Sequence, residues 1–143
     1  MIMKIVFLDA STLGDDIDYT QFEQMGEVVR YPFTSSEEAP DRVTDADVVV
    51  VNKVLINEQT ISTAGKLKLV CVTATGTNNL DKDYLAQRGI EWRNVAGYST
   101  ESVAQHTFAM LFYLLENLPH YDSFLTNCMY VKNRIFTHSS HPF

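Results

Sequence analysis

The chain has 143 residues, of which 45% are hydrophobic and 20% are charged, and its formal net charge at pH 7 is −7. These values are typical of a soluble globular protein, and the length suits one domain with its own core better than two. The negative charge argues against nucleic acids and anionic membranes as partners, because both are bound by clusters of lysine and arginine. A small anionic ligand is compatible with it, since such a ligand needs only local donors.

The N-terminal apolar run ends at Asp9. It is too short for a transmembrane helix, and no small-residue cleavage site follows it. Cys71 falls in a predicted strand and Cys128 in an irregular tail, a spacing typical of neither a disulfide framework nor a zinc site. His138 and His141 lie in a polar end that we expect to fray, so we predict no metal site. These features together predict a cytoplasmic protein.

Predicted strands and helices alternate along the chain. Apolar and β-branched runs predict strands at residues 4–10, 27–31, 46–51, 67–72 and 90–95. Capping and terminating residues predict helices at 19–25, 35–45, 57–64, 81–88 and 99–118, the first of them followed by Gly26 at its C′ position. Because the strands are mostly apolar along their length, we expect a parallel sheet covered on both faces. The prediction is an α/β, flavodoxin-like doubly wound fold with strand order 2-1-3-4-5.

Ligands bind outside the carboxyl ends of the strands in such a sheet. The predicted turns at this edge contain Asp9, Asn52, Lys53, residues 73–79, Gly97 and Tyr98. Small side chains leave the backbone N–H groups of Thr75 and Gly76 free to face an anion, and Gly76 can adopt backbone angles closed to other residues. The alternative is an ordinary turn of an α/β protein. We expect Asp9 to cap a turn rather than to act in catalysis.

The last predicted helix, residues 99–118, is apolar around nearly its whole circumference. A helix on the outside of a sheet has one polar face, so this helix should be buried on two sides. One expected partner is the sheet. The tail that follows, residues 120–143, is too polar to provide the second.

Three segments resemble one enzyme family in order and spacing. They are TGTNNLD at 75–81, RGI at 88–90 and NVAGYSTESVA at 94–104. The chain resembles the D-isomer-specific 2-hydroxyacid dehydrogenases, most closely their glycerate dehydrogenase or hydroxypyruvate reductase branch. The resemblance implies a two-domain, NAD- or NADP-dependent dehydrogenase. Residues 1–98 would be its substrate-binding (catalytic) domain, and 99–143 its interdomain crossing helix and the start of the nucleotide-binding domain.

The resemblance also implies roles for individual residues. The N–H groups of Thr75 and Gly76 would bind the carboxylate of a small 2-oxo or 2-hydroxy acid, and Thr75 would also lie near the nicotinamide. Asn52 and Lys53 would line the other side of the substrate. Val103 and Thr107 would pack near the nicotinamide ring. Gln105 is a departure, because many members carry glutamate there.

A second departure concerns the cofactor and the chemistry. No G-x-G-x-x-G turn occurs in the chain. The family's catalytic arginine, glutamate and histidine would lie beyond residue 143, and the four histidines, His106, His120, His138 and His141, do not correspond to the catalytic one. We therefore predict no catalytic residue here, no tight cofactor binding, and no activity of the isolated chain.

Two other classes of flavodoxin-like protein fit the sequence less well. A phospho-receiver domain needs an acidic pair after its first strand and a lysine after its fifth, and this chain has neither. Asn52 stands where the phosphate-accepting aspartate of a receiver would be. A flavodoxin-type phosphate loop is disfavoured by the acids Asp15 and Asp16. A non-catalytic flavodoxin-like binding or interaction module, using the apolar helix, stays open as an alternative. On either reading a homodimer through the crossing-helix region is expected.

Overall fold

The computed structural model describes residues 2–132 and 134. It divides into two compact units, Met1–Gly97 and Tyr98–Phe143. This division lies next to the predicted boundary between residues 98 and 99. The assignment of the two parts to a substrate-binding domain and a crossing helix stays a prediction.

The first unit is built on a five-stranded parallel sheet. Its strands are β1 (Met3–Phe7), β2 (Gly26–Arg30), β3 (Val48–Val51), β4 (Leu69–Val72) and β5 (Glu91–Asn94). They are ordered β2-β1-β3-β4-β5, with every neighbouring pair parallel. The predicted flavodoxin-like order is thus confirmed.

Four α-helices connect these strands. They are α1 (Thr20–Met25), α2 (Ala39–Val43), α3 (Glu58–Ile61) and α4 (Lys82–Gln87). The Asn57 side chain accepts a hydrogen bond from the Thr60 N–H at the start of α3, and Asp81 accepts one from Tyr84 at the start of α4. These side chains satisfy N–H groups that lack partners inside the helix.

The sheet has a large and a small buried face. On the large face, Val43 of α2, Ile61 of α3 and Leu85 of α4 join one core cluster with alternate strand residues. On the small face, the buried residues are Ile5, Phe7 and Val50. The Phe7 ring makes edge-to-face contacts with Tyr19 and Phe22, at centroid distances of 5.1 and 5.3 Å.

Gly26 ends α1 as predicted, where its N–H donates to the Phe22 carbonyl oxygen, but it is not in the left-handed conformation typical of a C′ glycine. Its φ of 173° is extended rather than left-handed, and it is the first residue of β2. A Cβ atom built there would lie 2.0 Å from the Met3 carbonyl oxygen. Glycine is needed because the backbone of β1 passes too closely for any side chain.

The second unit consists of helices in its described part. They are α5 (Thr100–Leu115), α6 (Leu118–Thr126) and α7 (Met129–Lys132). The helix predicted at 99–118 therefore ends at Leu115. The prediction of an irregular tail was wrong for the residues of α6 and α7. Asn117, at φ 47°, lies between the first two helices, and Pro119 stands in the first turn of α6, where its missing N–H removes no helical hydrogen bond.

Helix α5 has no buried residue, so the burial expected on two sides is absent from the described part of the chain. The large apolar side chains of α5 are all exposed, from 45% at Leu111 to 74% at Leu114. Among the described residues, no helix combines the length and hydropathy that crossing a bilayer requires.

Candidate functional site

The candidate site lies at the carboxyl ends of β3 and β4. A cleft of about 220 Å³ is lined there by Asn52, Lys53, Ala74, Gly76, Asn78 and Asn79. Three of the predicted substrate-binding residues, Asn52, Lys53 and Gly76, therefore line one cleft, and Thr75 directly precedes Gly76. These residues come together because β3 and β4 are parallel neighbours, which brings their carboxyl ends to the same edge.

The turn after β4 is fixed by the end of β5. Thr75 Oγ1 donates to the Val95 carbonyl oxygen at 2.9 Å, and Asn94 Nδ2 donates to the Thr75 carbonyl oxygen at 2.8 Å. Thr75 and Gly76 are exposed, and among residues 2–132 and 134 neither of their N–H groups has a hydrogen-bond acceptor. Two adjacent free N–H groups on a braced turn form an arrangement suited to binding an anion.

Gly76 contributes differently from the prediction. Its φ is not in the left-handed region, so the turn does not depend on angles that only glycine adopts readily. A Cβ atom built at Gly76 would have no neighbour within 4 Å. What glycine provides is open space beside the exposed N–H groups, through which a ligand can approach the backbone.

Asp9 holds the turn after β3, which supplies Asn52 and Lys53 to the cleft. Its side chain is buried, and its carboxylate accepts the N–H groups of Asn52, Lys53 and Val54, with Oδ2 at 3.0, 2.6 and 3.2 Å. The prediction that Asp9 caps a turn is confirmed, but the turn follows β3 rather than its own strand. The strand order explains this, because β1 and β3 are neighbours in the sheet.

Asn79 is a site residue that the sequence did not single out. Its Nδ2 donates to the carbonyl oxygens of Val54 at 3.0 Å and of Asn52 at 3.4 Å. The only hint in the sequence is its position inside the turn after β4. Next to it, Asn52 Oδ1 is a buried acceptor with no hydrogen-bond partner among the described residues.

A larger cleft of about 650 Å³ adjoins the turn after β3, on the side of β1 and β2. It is lined by Asp9, Ser11, Thr12, Pro32, Phe33, Thr34, Ser35, Ser36, Lys53, Val54 and Leu55. Lys53 lines both clefts. This one lies where the strand order reverses between β1 and β3, which is the usual ligand position in open α/β sheets.

The residues predicted to contact a nicotinamide lie in two different units. Thr75 belongs to the turn just described. Val103 and Thr107 are exposed residues one turn apart on α5, where Thr107 Oγ1 donates to the Val103 carbonyl oxygen at 2.8 Å. Their role at a cofactor stays a prediction.

Metal binding and thiol chemistry find little support in the described residues. No group of three or more His, Cys, Asp or Glu side chains there is placed to hold a metal ion. His138 and His141 lie outside the described residues.

Burial raises the pKa of the Cys71 thiol above its ordinary value of 9.0, with the positive charge of Arg93 acting in the opposite direction. A raised pKa makes this cysteine a poor nucleophile at neutral pH.

The family assignment follows from comparison with known proteins. Residues 5–140 match the family model described as D-isomer specific 2-hydroxyacid dehydrogenase, catalytic domain. The chain belongs to this family, and the predicted resemblance is confirmed.

Several curated relatives are similar along most of the chain. A Haemophilus influenzae protein, named provisionally as a 2-hydroxyacid dehydrogenase, is 35% identical over 140 residues, which are 98% of this chain and 44% of that protein. A hydroxypyruvate reductase of Blautia hydrogenotrophica is 34% identical, with 84% of this chain and 38% of the relative covered. A glycerate dehydrogenase of Methylorubrum extorquens is 29% identical, with 99% and 45% covered. The chain thus spans less than half the length of these relatives.

Solved structures agree on the fold. The D-lactate dehydrogenase of Aquifex aeolicus, complexed with NAD and lactic acid, has a TM-score of 0.72 at 26% identity, covering 95% of this chain and 39% of that one. An acyclic imino acid reductase, in complex with NADPH and D-Arg, has a TM-score of 0.76 at 23% identity, with 99% and 43% covered. Structural neighbours of this family therefore bind NAD or NADP.

The described residues do not themselves fit a dinucleotide pyrophosphate. That group is held by closely spaced glycines between a strand and a helix. The six glycines of this chain, Gly14, Gly26, Gly65, Gly76, Gly89 and Gly97, fall in separate places.

Proposed function

We propose that the chain supplies the substrate-binding part of an NAD- or NADP-dependent D-2-hydroxyacid dehydrogenase. The complete protein would reduce a 2-oxo acid such as hydroxypyruvate or glyoxylate to the D-2-hydroxy acid. The observation that carries this proposal is the pair of exposed N–H groups at Thr75 and Gly76, braced from β5 and facing no acceptor in the described residues. The preference for hydroxypyruvate rests on the names of the relatives.

The chain's share of this function is to bind and orient the substrate carboxylate. Hydrogen bonds from two backbone N–H groups to a carboxylate are charge-assisted, and each contributes about 1.5–3 kcal/mol. The cleft also brings the cationic side chain of Lys53 and the carboxamide of Asn52 to the same small space. A carboxylate at Thr75 would leave the rest of a short 2-oxo acid between these side chains.

We assign no catalytic residue to this chain and expect no dehydrogenase activity from the 143 residues alone. Thr75, Val103 and Thr107 are proposed to contact the nicotinamide end of the cofactor in the complete protein. The exposure of all three residues is compatible with that role. The choice between NAD and NADP is left open.

Helix α5 supports a second candidate function, that of an interaction module. Its apolar side chains are exposed, and a continuous apolar surface of this kind is typical of a protein contact. We propose that it mediates a homodimer. The two functions are compatible, because an enzyme of this kind can also dimerise. We also propose a cytoplasmic location, with which the two free cysteines agree.

Titration of the ¹⁵N-labelled chain with hydroxypyruvate tests the proposed carboxylate site. The amide signals of Thr75 and Gly76 are expected to shift and to saturate. The matched control is hydroxyacetone, in which a methyl group replaces the carboxylate, and it should leave both signals in place. Shifts confined to residues away from this turn, or equal shifts with hydroxyacetone, would contradict the assignment.

A further inference from the structure

The turn after β3, here called the β3 turn, consists of Asn52, Lys53 and Val54. It is held by side chains from the segments that follow the two neighbouring strands, β1 and β4. All three of its N–H groups point to the Asp9 carboxylate at the end of β1. Oδ2 accepts from Asn52 at 3.0 Å, from Lys53 at 2.6 Å and from Val54 at 3.2 Å, and Oδ1 accepts from Asn52 at 2.9 Å.

The carbonyl groups of the β3 turn are bound from the other side. Asn79, in the turn after β4, donates from Nδ2 to the Val54 and Asn52 carbonyl oxygens. Asn79 is itself fixed, because its own carbonyl oxygen accepts the Ile56 N–H at 2.8 Å. An acceptor from the segment after β1 and a donor from the turn after β4 thus bind the peptide groups of one short turn.

Asp9 is suited to this task only as a carboxylate. Its exposed fraction is 5%, and three backbone donors converge on it, which compensates the burial of its charge. An asparagine of the same shape would keep one acceptor oxygen and turn an N–H₂ group toward N–H donors. The β3 turn would lose part of its anchoring and meet a repulsive contact, although the volume of the side chain is unchanged.

We propose that Asp9 and Asn79 are positioning residues for the ligand site. They fix the β3 turn so that Asn52 and Lys53 face a short 2-oxo acid whose carboxylate is held by Thr75 and Gly76. The inference rests on the proposed function, since it concerns the same ligand. Its consequence is that changes at residues 9 and 79, which need not touch the ligand, weaken ligand binding in the folded protein.

The first test compares Asp9→Asn with Asp47→Asn in the 143-residue chain. Asp47 is the matched control because its carboxylate also accepts a backbone N–H, that of Lys4 at 2.9 Å, but at the amino end of β1. The measurements are the Kd for hydroxypyruvate and the amide hydrogen-exchange rates, both by NMR well below the Tm. Asp9→Asn should raise Kd at least tenfold and accelerate exchange at Asn52, Lys53 and Val54. Asp47→Asn should leave Kd within twofold of the wild-type value.

A second variant covers the case in which Asp9→Asn does not fold. Asn79→Leu keeps about the size of the side chain at a half-buried position and removes the Nδ2 donor from two carbonyl oxygens without adding a charge to the cleft. It should raise Kd in the same direction and shift the amide signals of the β3 turn. A Kd within twofold of wild type in the folded variants would overturn the inference alone. A wild-type chain that binds no hydroxypyruvate would overturn the proposed function and, with it, the role in ligand binding, while the exchange rates would still report whether Asp9 anchors the turn.

Discussion

Asn94 at the end of β5 donates a 2.8 Å hydrogen bond from Nδ2 to the carbonyl oxygen of Thr75 in the turn after β4. This bond leaves the N–H side of the turn free while fixing its carbonyl side. No residue of β5 lines the smaller cleft. The strand nevertheless supports the proposed anion site, because Asn94 holds the turn in place.

Replacing Asn94 with alanine should weaken hydroxypyruvate binding about fivefold, because one net hydrogen bond is worth about 1 kcal/mol. The matched control is Arg93→Ala, on the same strand, whose side chain is 70% exposed and bonds exposed Glu91 and the adjacent Trp92 carbonyl oxygen, away from the Thr75 turn. Binding is measured by NMR titration and folding by thermal melting. Equal losses of affinity in both variants would mean that Asn94 has no specific effect on the turn.

Gly76→Ala separates folding from binding. No atom lies within 4 Å of the added methyl group and the backbone is not left-handed, so the free energy of unfolding should change by less than about 0.5 kcal/mol. Binding should fall at least tenfold, since the methyl group occupies the space beside the free N–H groups. Calorimetry and titration of the same sample measure the two effects.

Gly89→Ala is the converse control for Gly76→Ala. Gly89 has a φ of 65°, so alanine there should lower the free energy of unfolding by about 1 kcal/mol while leaving ligand affinity unchanged. If Gly76→Ala were the more destabilising of the two and bound ligand normally, the proposed approach of the ligand to this turn would be wrong.

The sheet order and the position of the site followed from local signals in the sequence. Buried apolar runs separated by capped helices predicted a parallel sheet, and a parallel sheet brings the turns after β3 and β4 to one edge. The pairing of Asp9 with the β3 turn was not predictable in the same way. Asp9 and Lys53 are 44 positions apart, and nothing local to Asp9 shows which turn lies within its reach.

The errors have comparable causes. Pro119 directly follows the predicted helix at 99–118 and would suit its end, whereas it stands in the first turn of α6; both positions suit a residue without an N–H. Gly26 does end α1, but the contact that requires glycine is with Met3 on another strand rather than a left-handed turn of the backbone. Each signal was real, and the choice between its two meanings depended on tertiary structure.

The two cysteines should differ in reactivity toward iodoacetamide. Burial raises the pKa of Cys71, so its thiolate fraction near neutral pH is lower than that of an ordinary thiol, whereas Cys128 is exposed. Mass spectrometry of the partially alkylated chain should find Cys128 modified at least tenfold faster at pH 8. The rate at Cys71 should continue to rise at higher pH than the rate of an ordinary thiol, because burial raises the pKa of Cys71. Equal rates at pH 8 would contradict the described environment of Cys71.

Phe112→Glu tests whether α5 mediates self-association. The Phe112 side chain is 55% exposed, and a glutamate there places a charge within the apolar surface of α5. If α5 forms a homodimer contact, the variant should shift from dimer to monomer in sedimentation equilibrium, because burying an unpaired charge in an apolar contact is strongly unfavourable. Gln105→Glu is the matched control: it adds the same charge at an exposed polar position of the same helix and removes no apolar surface. A dimer in both variants would place the contact elsewhere, and a monomeric wild-type chain would refute self-association through α5.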